Sequence, residues 1–446
     1  MFRILVVAAF FVWAAAVSAV SAEKPLFQKN DKIGLFGDSI TQGGSYAAYL
    51  QMFLAGTDVQ IINIGLSGDA SKTALKRIPT ILEYSNINVL CYGLGVNDLK
   101  PEAFQTPDID PVKQAAFDQF RTSASSAIEQ YLQAGKRVYI VTPCAFNEYS
   151  TAHKGNNAPY KDSVGLENIV KIDKELAAKY QIPFLDIHSE TRKLFKKYPN
   201  VKFAPDRLHP DRFVHVIMAA NYAKELGLSP EIGIISIEGN QIQSKGAKVS
   251  SFSRNGNQIE FEYTPARLPI GTNADVEEAR KFYDLDGLIN RETFTVKDLP
   301  AGNYELSADD TLLGTFTAEQ LASGVKLTGL ATPHQKKADE NMKMQQEIED
   351  YMAYYSINFR FRFIMEVLVK EDYDDQEARR KYMKRWCESG QKDKRLAHNF
   401  RSVYQIFMEH IDGKEQEIIQ HCENLAKQLH ANSIPQACKI RLTPAK

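Results

Sequence analysis

The chain has 446 residues, of which 44% are hydrophobic and 24% are charged, and its formal net charge is -1 at pH 7. This length is too great for one ordinary domain, so two or three domains are expected. The near-neutral charge and the lack of a basic block exclude the electrostatic footprint that nucleic-acid binding requires. No nucleic-acid partner is therefore predicted.

The first 22 residues predict a secretory signal peptide. One arginine, Arg3, precedes an unbroken apolar run over positions 4–17, and small-residue "VSA" sites end at Ala19 and Ala22. Cleavage is expected after Ala22, and the apolar run is short for a bilayer span. We therefore expect a secreted or periplasmic protein with no membrane span after cleavage.

The five cysteines do not predict a metal site. An odd number leaves at least one thiol without an intramolecular partner. Cys91 lies in an apolar strand-like run and is interpreted as a core residue, whereas pairing among Cys387, Cys422 and Cys438 stays open. Neither a CxxC nor an HExxH pattern occurs, so no metal and no cofactor is predicted.

Positions 23–230 predict an α/β domain, because short apolar runs alternate with helical patterns, as in a parallel sheet covered on both faces. The strand candidates are "KIGLF", "VQIINI", "NVLCYGLG", "RVYIVTP" and "IPFLDI", and the helix candidates are 47–54, 71–84, 111–134, 166–179 and 213–226. Sheets of this kind bind ligands in the crevice beyond the carboxyl ends of their strands. The functional residues are therefore expected after strand ends.

In the rest of the chain, the pattern of apolar and polar residues changes twice. Positions 231–332 contain "QIEFEY", whose apolar and polar residues alternate, and the preceding Asn255-Gly256 predicts a two-residue hairpin turn. A small β-rich, sandwich-like module is expected there. Positions 333–446 carry apolar residues at three- and four-residue spacing and predict a helical C-terminal region. The purpose of both parts is left open by the sequence, and so is the oligomeric state.

One serine stands at the end of the first predicted strand, in "FGDSITQ". A serine hydroxyl is a poor nucleophile unless a base accepts its proton, so Ser39 needs a histidine. Among nine histidines, His209 lies in "PDRLHPDRF", after the last predicted strand. A helix is predicted directly after it, and Pro210 is a residue type that is favoured at helix starts. Asp206, three residues earlier, could fix the imidazole tautomer, as a catalytic triad requires.

Donors for an oxyanion follow the next two strands. The glycine-rich "NIGLSGD" offers backbone N–H groups where a ligand can approach closely, and "LGVND" offers the amide of Asn97 at the same edge of the sheet. Four polar positions thus follow successive strand ends and are expected to converge on one crevice.

In this order, "FGDSIT", "NIGLSGD", "LGVND" and "DRLHP" together resemble the four sequence blocks of the SGNH hydrolases, also called GDSL esterases and lipases. The resemblance implies a three-layer α/β/α, flavodoxin-like fold. It also implies that Ser39 is the nucleophile, that His209 is the general base and later acid, and that Asp206 orients the imidazole. The implied oxyanion hole comprises the N–H groups of Ser39 and Gly68 and the side-chain amide of Asn97.

Several neighbours are interpreted as structural. Asp38 is expected to bond the loop backbone, Asp98 is expected to be structural, and His215 is expected to pack in the following helix or face solvent. Gly68 matches the family glycine better than Gly65, because it directly precedes the aspartate of "SGD". Arg207 departs from the small residue that is common in the family after this aspartate, so a long cation is expected beside the site.

The function implied by the resemblance is hydrolysis of carboxylic esters through an acyl-enzyme. Among exported members, deacetylation of polysaccharides is frequent, so a carbohydrate acetylesterase acting on a small ester or an acetylated polysaccharide is expected. The alternatives are a lysophospholipase or thioesterase acting on longer acyl chains, and a binding protein that keeps the scaffold without catalysis.

Overall fold

The computed structural model describes residues 25–152, 157–392 and 396–445. The predicted signal peptide, residues 1–22, lies outside the described residues. From residue 32 to residue 225, strands and helices alternate as the sequence predicts. The strands are β1 (Lys32–Gly37), β2 (Gln60–Asn63), β3 (Val89–Gly93), β4 (Arg137–Val141) and β5 (Phe184–Leu185). The helices are α1 (Ser39–Gln42), α2 (Tyr46–Phe53), α3 (Ser71–Ala74), α4 (Ile78–Tyr84), α5 (Pro111–Gln133), α6 (Glu167–Tyr180), α7 (His188–Lys197) and α8 (Arg212–Glu225).

These strands form one parallel sheet in the order β2-β1-β3-β4-β5. This is the strand order of flavodoxin-like folds, in which the sheet order reverses beside the first strand. Successive residues of each strand enter different cores: Leu35 packs in the core on one face and Phe36 in the core on the other. The predicted three-layer α/β/α fold is confirmed.

One predicted helix is divided. The segment 71–84 forms α3, a 3₁₀ turn at Leu75–Arg77 and α4 instead of one continuous helix. Pro79 occupies the first turn of α4. A proline cannot donate the backbone hydrogen bond that a helix interior needs, but it is tolerated in the first turn. The proline therefore favours a new helix over continuation of the old one.

The middle of the chain, from residue 231 to residue 326, contains strands and three short helices. Its strands are β6 (Glu231–Glu238), β7 (Gln241–Lys245), β8 (Ala247–Asn255), β9 (Gln258–Pro265), β10 (Arg291–Val296), β11 (Asn303–Ala308), β12 (Thr311–Thr317) and β13 (Val325–Lys326). The helices are α9 (Ala274–Arg280), α10 (Leu285–Ile289) and α11 (Ala318–Ser323). The predicted hairpin forms, but Asn255 pairs with Gln258, so the turn residues are Gly256 and Asn257. Gly256 has a φ of +60°, the conformation that glycine adopts without strain.

The last part of the chain is helical, as predicted, except at its end. It consists of α12 (Pro333–Met342), α13 (Gln345–Phe363), α14 (Gln376–Gly390), α15 (Ala397–Ile406), α16 (Glu415–Asn432) and β14 (Cys438–Pro444). Within residues 333–446, β14 therefore departs from the predicted helical region. Its buried positions alternate with partly exposed ones, the two-residue period of a strand.

β14 completes the β-rich module. One sheet has the order β13-β10-β6-β7, and the other has the order β12-β11-β14-β9-β8, so β14 lies between β11 and β9. The two sheets share one hydrophobic core, to which Leu442, Phe261 and Phe294 contribute. The module is thus built from two distant stretches of the chain.

The helical region also covers the parallel sheet. β2 is an edge strand, and α13 packs against β2 and α2. Ile348 and Met352 of α13 join the core on one face of the sheet, whereas Tyr355 and Phe359 join the core on the other. A covered edge cannot pair with another chain.

Two further observations concern the described residues as a whole. No helix among them is both long enough and apolar enough to cross a membrane. All five cysteines are free thiols, and only Cys422 is more than slightly exposed. The pairing that the sequence left open is therefore absent from this structure.

We expect Leu442→Ala to lower the free energy of unfolding by about 2–5 kcal/mol, because Leu442 is fully buried and the module loses a core side chain. Lys439→Ala in the same strand removes a surface ion pair with Glu260 and should cost less than about 1 kcal/mol. Denaturant unfolding of both variants checks the assignment. Equal losses would contradict the placement of β14 in the core.

Candidate active site

Ser39 stands where β1 meets α1, and it is partly exposed. Asp38 caps α1, since its side chain accepts a hydrogen bond of 2.9 Å from the Ile40 N–H. Burial raises the pKa of Asp38 to about 6, while the Ile40 hydrogen bond and His209 act in the opposite direction. The predicted structural role of Asp38 is confirmed, and this cap fixes the chain at the serine.

The Ser39 hydroxyl and the His209 imidazole are hydrogen-bonded neighbours. Ser39 Oγ lies 2.8 Å from His209 Nε2, although 170 residues separate the two. On the other side of the ring, His209 Nδ1 lies 2.6 Å from Asp206 Oδ2. An ionised carboxylate only accepts hydrogen bonds, so Nδ1 carries the proton and Nε2 accepts from the serine. The predicted contact between Ser39 and His209 is confirmed, and the catalytic roles stay a prediction.

The loop that carries His209 is shaped by Asp206 itself. Asp206 Oδ1 accepts hydrogen bonds from the Leu208 N–H at 2.9 Å and the His209 N–H at 2.7 Å. Partial burial would raise the pKa of Asp206, but these bonds and the bond from the His209 ring hold it well below its usual range. The carboxylate therefore stays ionised and keeps the imidazole in one tautomer.

The same pair sets the protonation of the imidazole. The hydrogen bond and the negative charge of Asp206 raise the pKa of His209 above 6.5, and burial opposes them. His209 and Asp206 each expose nearly half of their side chain, 48% and 45%. The imidazole is thus reachable from solvent and still held by its partner.

Arg207, between Asp206 and His209, has a left-handed backbone conformation with a φ of +70°. Glycine adopts this conformation without strain because it has no Cβ, so glycine is the small residue that would suit the position. The Arg207 guanidinium donates to the carbonyl oxygens of Asn147 and Glu148 at 3.1 and 3.3 Å. It therefore fastens the loop after β4 to the histidine loop, a contact that sequence reasoning did not anticipate.

The glycine turn and Asn97 meet at the same edge of the sheet. The Asn97 amide donates to the Asp69 carbonyl at 3.0 Å, next to Gly68, which has a φ of +81° and is exposed. The Leu66 N–H donates to the Gly37 carbonyl at 3.0 Å and so joins this turn to the end of β1. An amide has two N–H donors, so Asn97 keeps one for a ligand. The structure thus brings Gly68 and Asn97 to the edge where Ser39 lies.

Comparison with known proteins agrees with this geometry. Residues 35–215 match the family model described as GDSL-like Lipase/Acylhydrolase family. This part of the chain belongs to that family. Acylhydrolases cleave acyl esters, so the protein is an SGNH-type ester hydrolase. No curated protein matches the chain.

One solved structure shares the fold of nearly the whole chain, and two others match a smaller part of it. The structure of BT4096, a gut microbial diltiazem-metabolizing enzyme, is 20% identical, covers 95% of this chain and 99% of its own, and superposes with a TM-score of 0.80. The acetylxylan esterase Axe2 of Geobacillus stearothermophilus is 18% identical and covers 46% of this chain and 97% of its own, with a TM-score of 0.38. The acetyl xylan esterase AlAXEase is 21% identical and covers 43% and 98%, with a TM-score of 0.35. The first of these shares the arrangement of nearly the whole chain.

A buried arginine, Arg77, binds the chain segments that carry the site of the hydrolase. The sequence analysis did not identify this residue. Arg77 Nε lies 2.8 Å from Asp69 Oδ2, and its Nη1 donates to the Ile64 carbonyl at 2.7 Å. Its Nη2 lies 3.5 Å from the Gly37 carbonyl, and the guanidinium stacks over the Phe36 ring. Arg77 therefore joins the carboxyl ends of β1 and β2 to the glycine turn. Nothing in the sequence distinguishes it from the lysines nearby.

Asp98 and His215 have the structural positions that were expected. Asp98 accepts from the Ser71 backbone N–H and hydroxyl. His215 is buried, and its Nε2 donates to the Pro210 carbonyl at 3.1 Å. Burial lowers the pKa of His215 to about 4, so the ring is neutral and serves as a donor to the residue beside His209.

Lys161 is a second group that the sequence did not single out. Only 2% of the residue is exposed, and its ammonium lies 5.4 Å from the centroid of the Phe146 ring in the loop after β4. Burial lowers the pKa of Lys161 to about 8, and the nearby Asp38 opposes the shift. A buried amine thus lies beside the loop after β4, and Asp38 stabilises its charged form.

We expect Asp206→Asn to lower the pKa of His209, because the carboxylate that raises it is removed. A protonated imidazole cannot accept the Ser39 proton, so the acid limb of the remaining activity should move to lower pH, and kcat should fall. Ring-proton NMR titration of His209 and a pH–rate profile measure the two effects. The exposed Asp211→Asn serves as the matched control; an unchanged His209 pKa in Asp206→Asn would contradict the assignment.

Proposed function

We propose that the protein hydrolyses carboxylic esters through an acyl-enzyme on Ser39, and that its substrates are acetylated carbohydrates. The observation that carries the mechanism is the chain of hydrogen bonds Ser39–His209–Asp206. A serine, a histidine and an aspartate joined in this order are recognised by geometry and role on many folds.

The first half of the reaction forms the acyl-enzyme. His209 Nε2 takes the hydroxyl proton while Ser39 Oγ bonds to the ester carbonyl carbon, and the carbonyl oxygen becomes an oxyanion. When the tetrahedral intermediate collapses, the bond to the alcohol oxygen breaks, and the imidazolium gives its proton to that oxygen. Asp206 stabilises the imidazolium in between and keeps its own charge.

The second half releases the acid. Water gives a proton to His209 Nε2 and attacks the acyl carbon, and the bond to Ser39 Oγ then breaks as the proton returns to the serine. In both halves the oxyanion would be held by the N–H groups of Ser39 and Gly68 and by the free N–H of Asn97. Fixed donors of this kind stabilise charge that develops only in the transition state.

The exposure of the candidate site suits an ester of a large alcohol. Ser39 is partly exposed, and 48% of the His209 side chain is accessible to solvent. A polysaccharide can therefore approach the serine from solvent.

The length of the preferred acyl chain distinguishes the proposed acetylesterase from an enzyme that acts on longer acyl chains. We expect the protein to release acetate from acetylated polysaccharides and Ser39→Ala to release none. On p-nitrophenyl acetate, butyrate and decanoate, kcat/KM should be greatest for the acetate. A preference for decanoate would favour a lysophospholipase or thioesterase, and failure of a fluorophosphonate to label Ser39 would favour a non-catalytic scaffold.

We also propose that the protein is exported. The support is the apolar run at positions 4–17 with small residues before position 23. Mass spectrometry of the protein recovered from the cell exterior or periplasm should give an N-terminus at Glu23. An N-terminus at Met1 would contradict export by cleavage.

We expect Asn97→Ala to fold normally and to lower kcat by about 10²–10³, the loss that follows removal of one oxyanion donor. KM should change little, because the donor acts mainly on the charged transition state. Ser67→Ala, in the exposed glycine turn, keeps all three donors and is the matched control. Near-normal turnover in Asn97→Ala would remove this amide from the oxyanion hole.

A further inference from the structure

The segment after His209 is bound by residues from outside the α/β domain. Arg212 is the first residue of α8, three positions after His209. Its Nη1 and Nη2 donate to the two carboxylate oxygens of Glu349 at 2.8 and 3.1 Å, and its Nε donates to Asp275 at 2.9 Å. Paired parallel bonds of this kind fix direction as well as distance. The start of α8 is thus fastened to α13 and α9.

Glu349 also reaches the segment after the nucleophile. Its Oε1 accepts a hydrogen bond of 3.0 Å from Ser45, which precedes α2 and follows Ser39 by six positions. Its Oε2 accepts from Gln345 at 2.7 Å. Two carboxylate oxygens offer about four acceptor positions, and all four are used. One side chain of α13 therefore joins the serine segment to the histidine segment.

The same helix contacts the glycine turn. Ser356 Oγ donates to the Gly65 carbonyl at 2.7 Å in a buried contact. A Cβ at Gly65 would lie 2.4 Å from the Gln42 backbone nitrogen, so this loop is pressed against α1, which begins at Ser39. Positions seven apart, such as 349 and 356, share one face of a helix. One face of α13 thus touches the segments that carry the nucleophile, the base and the glycine turn.

We propose that α13 is a positioning element of the active site, acting through Glu349 on Arg212 and Ser45 and through Ser356 on the glycine turn. The inference rests on the proposed serine mechanism and gives the helical region a part in it. His209 and Asp206 are half exposed, so few packing contacts near the ring can hold it. A displacement of about 1 Å between reacting groups can cost about 10²-fold in rate.

A second ion pair between the helical region and the α/β domain supplies a control. Glu423 of α16 accepts from the Lys32 ammonium at 2.5 Å. Lys32 begins β1 and Ser39 follows its other end, so this contact lies about 20 Å from the serine along the strand. Glu349 and Glu423 have similar side-chain exposure, 17% and 21%. Glu423 also accepts from the Asn86 amide at 3.3 Å, so this pair joins the helical region to the α/β domain at the end of β1 that is farther from Ser39.

The experiment compares Glu349→Gln with Glu423→Gln in the full chain. We expect Glu349→Gln to lower kcat on p-nitrophenyl acetate and the rate of fluorophosphonate labelling of Ser39 by about 10-fold or more, with KM within about twofold. Glu423→Gln should leave the three values within about twofold of the unaltered protein. Thermal unfolding midpoints are measured for both variants, so that a loss of folded protein is not taken for a loss of rate.

Ser356→Ala removes one hydroxyl and should slow labelling several-fold, and it keeps the test decisive should Glu349→Gln fail to fold. Labelling of Ser356→Ala and of folded Glu349→Gln at the unaltered rate would overturn the inference and leave the serine mechanism intact. Equal slowing in Glu423→Gln would also overturn it, because the effect would then be general. If the unaltered protein itself is not labelled, it is the proposed function that fails.

Discussion

The hydrogen bond between the Ser39 hydroxyl and His209 Nε2 depends on every layer of this structure. Its two residues lie in short polar loops 170 positions apart, and neither loop can determine where the other lies. The distance is set by the sheet that carries β1, by the packing of α8 on that sheet and by the bonds that close each loop. A change of a few tenths of an ångström in any of these would alter a bond whose useful range is narrow.

The site is supported by polar groups that are costly to bury. Arg77 and Asp69 form a buried ion pair, and such a pair adds little stability relative to well-packed apolar side chains. Its effect here is on geometry, because the guanidinium also binds carbonyl groups at the ends of β1 and β2. Lys161 is likewise buried, beside the Phe146 ring, at a cost in desolvation. Native structures commonly retain such costs at functional sites.

The helical region and the β-rich module are not appendages to the α/β domain. α13 covers the edge strand β2 and contributes to the cores on both faces of the sheet, and β14 returns the end of the chain to the module. Contacts this extensive couple the stability of the parts. They also bring Glu349, Ser356 and Asp275 to loops that the α/β domain would otherwise present to solvent on its own.

The sequence by itself determined the features that depend on local chemistry. The apolar strands, the polar residues at their carboxyl ends, the "DRLH" loop and the bond from Asp38 to the backbone follow from short segments, because backbone preference and burial pattern act over a few residues. These were sufficient to predict the α/β/α fold and the meeting of Ser39 with His209. Tertiary structure alone decided that Arg77 is buried under the site, that β14 is the central strand of a sheet and that Glu349 binds beside His209. In sequence, Arg77, Glu349 and the residues of β14 resemble exposed neighbours. Only the packing of distant segments brings them to the groups that they contact.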